Sequence, residues 1–178
     1  AYHSRLRHEL LSLRDASGAT LASVNADRTR HSGLELGLAW AASRAVDARL
    51  AWTWQDFRFD NDPLRANNRI AGAPRHLVNL AAEWRVTGQL ALNGLVRWVP
   101  GRTPVDNMNT VYNPAHVVAN LGADYAISGD WTVFARVSNL FDKRYAASTL
   151  TLDQAMTQQA VYLPGQGRAG YVGASLRF

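Results

Sequence analysis

Alternation of apolar and polar residues is the strongest signal in the chain, and it predicts nine β-strands. In the clearest segment, Leu34, Leu36 and Leu38 share one face with Trp40, while small or polar residues occupy the other. Side chains of an extended strand alternate with a period of two, so one apolar face indicates a half-buried or lipid-facing strand. The nine predicted segments are residues 2–14, 19–25, 34–41, 48–60, 78–85, 90–98, 117–125, 131–138 and 171–178. The pattern predicts an all-β, antiparallel, up-and-down chain.

The links between these segments alternate between short and long. Short turns are predicted at 15–18, 44–47, 87–88 and 128–130, and long loops at 61–74, 100–114 and 146–164. The predicted segments run 7 to 13 residues, and a tilted strand needs roughly 9 to 11 to cross a bilayer. Short turns at one end and long loops at the other are typical of outer-membrane barrels. Only the short link at 26–30 departs from this alternation.

Aromatic side chains on the apolar face fall at one level beside the short turns. Trp40, Trp84, Tyr125 and Trp131 lie at this level, and Trp98 lies at the opposite end. Indole and phenol rings prefer the boundary between membrane and water, so this distribution indicates an aromatic girdle. A soluble β-sandwich would show the same alternation, but it would not explain where the rings fall.

Composition narrows the possibilities further. The chain has 178 residues, 47% of them apolar, no cysteine and a formal net charge of +5. Apolar content of this size argues against disorder. The chain has no run of 18 apolar residues, so the sequence does not predict a transmembrane helix. The arginines are scattered along the segments, so we expect no nucleic-acid partner. Residues 1–14 do not resemble a signal peptide, so we expect either a mature chain or a fragment.

The C-terminal third carries a specific motif. It contains Asn139-Leu140-Phe141-Asp142 with Tyr145, then Pro164-Gly165 with Arg168, then a glycine-containing strand that ends in Phe178. This arrangement resembles the C-terminus of TonB-dependent outer-membrane receptors. The resemblance implies that residues 1–178 are the C-terminal portion of a 22-stranded transmembrane β-barrel. By the same resemblance, the plug domain and the segment that contacts TonB lie upstream.

The resemblance also implies a function and partners. It implies active uptake of a ferric siderophore or similar metal chelate across the outer membrane of a Gram-negative bacterium, energised through the TonB complex. The barrel wall would contact outer-membrane lipid. The terminal strand, through its alternating side chains and final aromatic ring, resembles the signal read by the barrel-assembly machinery. The residues of that signal are Val172, Ala174, Leu176 and Phe178.

Candidate chemistry is sparse, and we assign no catalytic, cofactor-binding or metal-binding residue and no ligand-contacting one. Residues 165–170 spell G-x-G-x-x-G, but a strand rather than a helix is predicted to follow. Residues 8–12 contain half of a zinc-protease motif without its second histidine. Asp106, Asn107 and Asn109 could bind a cation, yet turn residues that hydrogen-bond their own backbone are the more economical interpretation.

Two alternative functions remain open. One is a plug-free outer-membrane porin. The other is an outer-membrane hydrolase that uses His76, His116 and Asp106 at the loop end, although no nucleophile is paired with them by spacing. His31, His76 and His116 are also conceivable iron ligands. The charged residues predicted to share the polar face, where a barrel meets water or a plug, are Glu35, Glu83, Asp124, Arg49, Arg85, Arg97 and Arg136.

Overall fold

The computed structural model describes residues 1–15, 17–156, 159 and 161–178 and consists of one large antiparallel sheet with loops at one end. The sheet has eight strands in the order β1-β2-β3-β4-β5-β8-β9-β12. Among the described residues, no helix is long and apolar enough to cross a membrane. The strands of the sheet are β1 (Tyr2–Arg14), β2 (Thr20–Ala41), β3 (Val46–Phe59), β4 (His76–Arg85), β5 (Leu90–Val99), β8 (His116–Ala126), β9 (Trp131–Ser138) and β12 (Ala169–Leu176). Two small hairpins in the loops pair β6 (Thr103–Pro104) with β7 (Tyr112–Asn113), and β10 (Ala146–Thr149) with β11 (Tyr162–Pro164).

The all-β antiparallel prediction is confirmed, but the predicted link at 26–30 is wrong. These residues lie inside the 22-residue strand β2, where Arg28 pairs with Arg7 and Thr29 pairs with Phe59. Polar side chains did not interrupt the strand because its backbone pairs with β1 through this stretch and with β3 from Arg28 onward. The second and third predicted strands are therefore one, and the sheet has eight strands instead of nine.

This merger moves the turn at 15–18 to the other end of the sheet. The turns at 42–45, 86–89 and 127–130 remain together at one end, as each closes a hairpin of adjacent strands. The turn at 15–18 now lies with the long loops, so its predicted place among the short turns was wrong. The turn at 15–18 is then the one exception to the alternation, because it is a short link at the end of the sheet that carries the long loops.

The strand register keeps the apolar side chains on one continuous face. Leu36 pairs with Trp52, Trp52 with Val78, Val78 with Trp98, and Trp98 with Val117. This face is open, since Trp40 is 67% exposed and Trp84 is 50% exposed. Within the described ranges no second sheet covers it. An apolar face of this size left uncovered is what a lipid-facing barrel wall requires.

The few fully buried apolar residues lie mostly in the loops. Val105, Leu150, Leu152 and Val161 form a small core, and each is at most 9% exposed. We call the described residues of the loops at 60–75, 100–115 and 139–168 the loop cluster; residues 157, 158 and 160 of the predicted loop at 146–164 lie outside the described residues. Its own core, separate from the sheet, allows it to hold a defined shape above the polar face.

The β1–β2 hairpin bends over the polar face of the sheet. The register between these strands is unchanged past His8, from Arg7–Arg28 to Glu9–Ala26, although His8 has a left-handed φ of 55°. The register shifts between Leu13 and Arg14, and an irregularity of this kind locally bends a strand. Beyond the bend, the backbones of Arg14 and Thr151 exchange two hydrogen bonds of 2.9 and 2.7 Å, so the hairpin tip is joined to the loop cluster.

Candidate functional site

A cavity of about 590 Å³ lies between the polar face of the sheet and the loops. Asn79, Arg97 and Asn120 line its floor from β4, β5 and β8, because alternate residues of these strands point away from the lipid-facing side. Arg14 and Asp15 line it from the hairpin tip. The other loop-side walls include Asn113, His116, Tyr145, Ser148, Thr149 and Thr151. The lining is rich in amides and hydroxyls and suits a polar ligand with many hydrogen-bonding groups.

The charge of this cavity is positive. Among the described residues, no acidic group lies within 4.0 Å of the Arg97 guanidinium, and the Arg14 guanidinium donates to the Gly18 carbonyl at 3.2 Å. Asp15 is the one carboxylate among the described residues of the lining. Hydrogen bonds from the Ser17 hydroxyl and the Ala19 N–H hold its pKa below the ordinary value, so it stays ionised. Two guanidinium groups against one carboxylate favour an anionic ligand.

Deeper along the polar face, the charged side chains pair with one another. Arg136 donates to Asp124 at 2.6 Å, and Arg85 donates to Asp47 at 2.7 Å and to Glu83 at 2.8 Å. Asp47 and Glu83 are directly opposite in the register, so Arg85 offsets a like-charge pair. The predicted polar face is therefore partly self-neutralised, while Arg97 is left available at its loop end.

Asp106 organises the loop cluster. Its side chain is fully buried and accepts backbone N–H groups from Thr110 (2.8 Å), Val111 (3.1 Å) and Ala155 (3.1 Å), as well as the Thr110 hydroxyl. Burial raises the pKa of Asp106, but the bonds from Thr110, Ala155 and Val111 outweigh it and hold the pKa below its ordinary value of 3.8. The carboxylate thus joins two loops, which is the hydrogen bonding that the turn interpretation predicts.

Asn107 and Asn109 likewise serve the loops. The Asn107 side-chain oxygen accepts the Ala71 N–H at 3.0 Å, and the Asn109 oxygen accepts the Arg69 N–H at 2.9 Å. Asn109 also donates to the Arg69 carbonyl at 2.8 Å. These bonds join the 100–115 loop to the 60–75 loop.

Sequence reasoning missed a buried ion pair that closes the loop cluster. Arg65 is 5% exposed and binds Asp153 through two parallel bonds, from Nε at 2.5 Å and Nη2 at 2.8 Å. Its third nitrogen lies 3.4 Å from Asp62, and its guanidinium stacks 5.2 Å from the Phe59 ring. The bond to Asp153 is the main cause of the raised pKa of Arg65. The partners lie 88 residues apart, so no local pattern could have revealed them.

The predicted C-terminal motif joins the two ends of the third loop. Asn139 is 2% exposed, has a φ of 48°, and donates through its amide to the carbonyls of Lys143 and Gln166, both at 2.9 Å. Asp142, also at a positive φ of 49°, accepts the Arg168 N–H at 2.9 Å. Asparagine and aspartate tolerate this left-handed backbone better than most residues. Asn139 and Asp142 of the motif therefore form hydrogen bonds that join residues 139–143 to residues 166–168.

The remaining motif residues complete the same bridge. Tyr145 accepts the Gly165 N–H at its carbonyl at 2.8 Å, and its ring lies where a Cβ on Gly165 would stand, 2.2 Å from Cζ. The ring also stacks on His116 at 5.4 Å. Leu140 donates its N–H to the Ala119 carbonyl at 2.7 Å. The side chains of Phe141 and Arg168, and Pro164, are exposed.

The terminal strand places its predicted assembly residues on the lipid-facing side. Val172 pairs with Ala135, Ala174 with Val133, and Leu176 with Trp131. Val172 is 85% exposed, and Phe178 is fully exposed beyond the last residue of β12. The strand therefore ends two residues earlier than predicted.

The histidines do not converge on one point. His31 lies 3.3 Å from Glu9 and stacks on Phe57, while His76 accepts the Trp52 indole N–H at 3.3 Å on the lipid-facing side. His116 lines the cavity, but the Asp106 carboxylate makes its bonds within the loops. No group of three or more potential metal ligands occurs among the residues that the structure describes.

Comparison with known proteins identifies the architecture. The family model described as TonB dependent receptor-like, beta-barrel, matches residues 1–140. The chain belongs to this family. Its members are transporters of the Gram-negative outer membrane, not enzymes. The family resemblance drawn from the C-terminal motif is therefore confirmed, although the matched range contains only the first two residues of that motif.

Individual relatives agree with this assignment. The ferric enterobactin receptor of Pseudomonas aeruginosa is 28% identical in an alignment 123 residues long, which covers 61% of this chain and 16% of that protein. The fold is similar to that of the ferric yersiniabactin uptake receptor FyuA from Yersinia pestis, with a TM-score of 0.78 and 19% identity over 99% of this chain. The siderophore receptor PiuA from Acinetobacter baumannii gives a TM-score of 0.74 and 18% identity over 97% of this chain. The chain spans 26% and 25% of those two structures.

Proposed function

We propose that the protein containing this chain takes up a ferric siderophore or a similar metal chelate and is energised through TonB. In this proposal, residues 1–178 supply barrel wall and outer loops, and the plug and the TonB-contacting segment belong to other parts of the same receptor. The named functions of the similar receptors support the substrate class. The cavity beside Arg97 and Arg14 supports it independently, because many metal chelates are anionic and rich in oxygen acceptors.

The observation that carries this proposal is the set of interconnected loops that line the polar cavity. The hairpin tip, joined to Thr151, and the loop cluster, joined by Arg65 and Asp153, lie over the cavity. A passive pore for small solutes requires an open path. Loops that are hydrogen-bonded to one another over a polar cavity suit capture of a particular ligand better than free diffusion.

Uptake of iron by cells tests the proposal. A strain lacking the gene is complemented with the full-length receptor, grown under iron limitation and given ⁵⁵Fe bound to a panel of catecholate, hydroxamate and mixed-ligand chelators. We expect accumulation of at least one chelate that disappears in a strain without TonB. Uptake that persists without TonB would instead support the porin alternative, and no uptake of any iron chelate would refute the substrate class.

A cavity variant links uptake to this chain. Arg97→Gln removes the unpaired charge from the cavity floor and is expected to weaken capture of an anionic chelate. Arg49→Gln is the matched control, since Arg49 is an exposed arginine of the polar face outside this cavity. Equal uptake by both variants would argue that the cavity does not contact the chelate.

A further inference from the structure

Five arginines lie together near the loop end of the first three strands. Arg5 and Arg7 belong to β1, Arg28 and Arg30 to β2, and Arg58 to β3. We call these five residues the arginine patch. Arg5 and Arg7 precede His8 in β1, and the other three arginines lie beside them through the register of β1, β2 and β3.

The strand register sets like charges directly opposite one another three times. Arg5 pairs with Arg30 and Arg7 pairs with Arg28 between β1 and β2, and Arg30 pairs with Arg58 between β2 and β3. Like charges at directly opposed positions destabilise a sheet. An anion bound between them would convert this repulsion into attraction.

Neighbouring carboxylates neutralise only part of the patch. Arg58 donates to Asp56 at 2.8 Å, and Arg28 lies 3.6 Å from Asp27, with both of the latter side chains about half exposed. For Arg5, Arg7 and Arg30, no acidic group of the described residues lies within 4.0 Å. Three guanidinium groups are therefore free to bind an external anion.

The patch faces outward, away from the cavity. Arg30 has the same strand parity as Leu34 and Leu36, which belong to the exposed apolar face. The residue beside it, Thr29, points the other way and is 1% exposed beneath the loops. None of the five arginines lines the polar cavity. The patch is thus an extension of the lipid-facing side and is separate from the ligand cavity.

Its height matches the border of the membrane. An apolar band about 25 Å tall requires about ten residues of a strand that rises about 3.3 Å per residue at a tilt of about 40°. Counted along β2 from the girdle residue Trp40, ten residues lead to Arg30. By register, Arg5 and Arg58 lie at the same level. Headgroups of the outer leaflet, on the side of the long loops, occupy this level.

We propose that the arginine patch binds the phosphate groups of a phosphorylated lipid in the outer leaflet. Guanidinium forks bind phosphate oxygens in pairs, and the lipid's acyl chains would extend over Leu34, Leu36 and Trp52. A second copy of this chain is not expected to bind the same face, because the arginines of the two copies would lie opposite one another and repel. Position, charge and the adjoining apolar surface all favour a lipid.

Binding of defined lipids to the full-length receptor in nonionic detergent tests the proposal. The probes are bisphosphorylated lipid A, the uncharged digalactosyl diacylglycerol and inorganic phosphate. The test variant carries Arg5→Gln, Arg7→Gln and Arg30→Gln. The control carries Arg44→Gln, Arg49→Gln and Arg144→Gln, which remove the same charge from exposed positions elsewhere.

We expect lipid A to bind the wild type and the control with similar affinity and the test variant about tenfold or more weakly. Without lipid, the test variant should melt at the same or a higher temperature, because three like-charge contacts are gone. If the triple variant does not insert, Arg30→Gln alone serves, since Arg30 takes part in two of the three pairs. Equal binding by test variant and wild type would overturn the proposal. So would equal binding of the uncharged lipid, or competition by dilute inorganic phosphate.

Discussion

Replacing Asp106 by alanine should loosen the loop cluster while leaving the strands intact. The carboxylate accepts four hydrogen bonds from Thr110, Val111 and Ala155 and is fully buried. Because Ala155 belongs to a different loop from Asp106, the substitution removes both an internal support and a connection between loops. The sheet has its own ladders and does not depend on this carboxylate.

The magnitude follows from the four bonds. At about 1.5 kcal/mol for each hydrogen bond to a charged group, they contribute about 6 kcal/mol. The donors are only partly buried, so some of them regain water in the variant, and about 3 kcal/mol is a realistic loss. If amides of the loop cluster exchange through local opening, this loss corresponds to a rate increase of about 10²-fold.

Hydrogen exchange of the full-length receptor, followed by mass spectrometry, measures this directly. Peptides from 100–115 and 146–156 should exchange faster, while those from β5 and β8 should not change. Asp106→Asn keeps one acceptor oxygen and should fall between wild type and Asp106→Ala. Asp130→Ala, in a turn at the opposite end, is the control. Unchanged loop exchange in Asp106→Ala would refute the role assigned to this carboxylate.

Three further outcomes are expected. Gly165→Ala places a Cβ 2.2 Å from the Tyr145 ring and should destabilise the third loop by about 1–3 kcal/mol. The expected readout is a lower Tm in detergent. Gly101→Ala, whose Cβ would have no atom within 4 Å, should leave the Tm unchanged. Deletion of Phe178 in the full-length gene should lower the amount of receptor inserted in the outer membrane, measured by immunoblot of membrane fractions. Phe178→Trp, which keeps a terminal aromatic ring, should insert like the wild type. Unchanged levels in the deletion would exclude an assembly role. Acid should open the loop cluster, because the pKa values of Asp62 and Asp106 are held below 3.8 by hydrogen bonds that outweigh burial. The two carboxylates stabilise the loops fully above that pH, and this contribution is lost as the pH falls through their lowered pKa values. Pepsin should therefore cut within 60–75 and 100–115 faster at pH 2 than at pH 4. Equal cleavage rates, after correction for the activity of pepsin at each pH, would contradict this.

The sheet was predictable from sequence wherever one face is uniformly apolar. Leu34 to Trp40 shows this most clearly, because every second side chain contacts lipid and must be apolar. This alternation ends where the strand leaves the membrane. Residues 26–30 are polar on both faces, and only their pairing with β1 and β3 shows that the strand continues. Polarity there reports height above the bilayer and does not report a break in structure.

The loop cluster was much less predictable. Asp106 and Asn107 were recognisable as turn formers, but their partners at Ala155 and Ala71 depend on how separate loops meet. Arg65 and Asp153 gave no local signal at all. The C-terminal motif was recognised by resemblance, yet its physical basis required the structure. Asn139 bridges to Gln166 through an amide at a left-handed position.

The attachment of the β1–β2 hairpin tip has a consequence for how a cargo could pass. The hairpin tip is fastened to Thr151 by two backbone bonds, which together contribute only about 2 kcal/mol. A ligand bound with micromolar affinity has about 8 kcal/mol of binding free energy. A cargo that gains about a quarter of this free energy only when the tip is released would therefore displace the hairpin tip from Thr151.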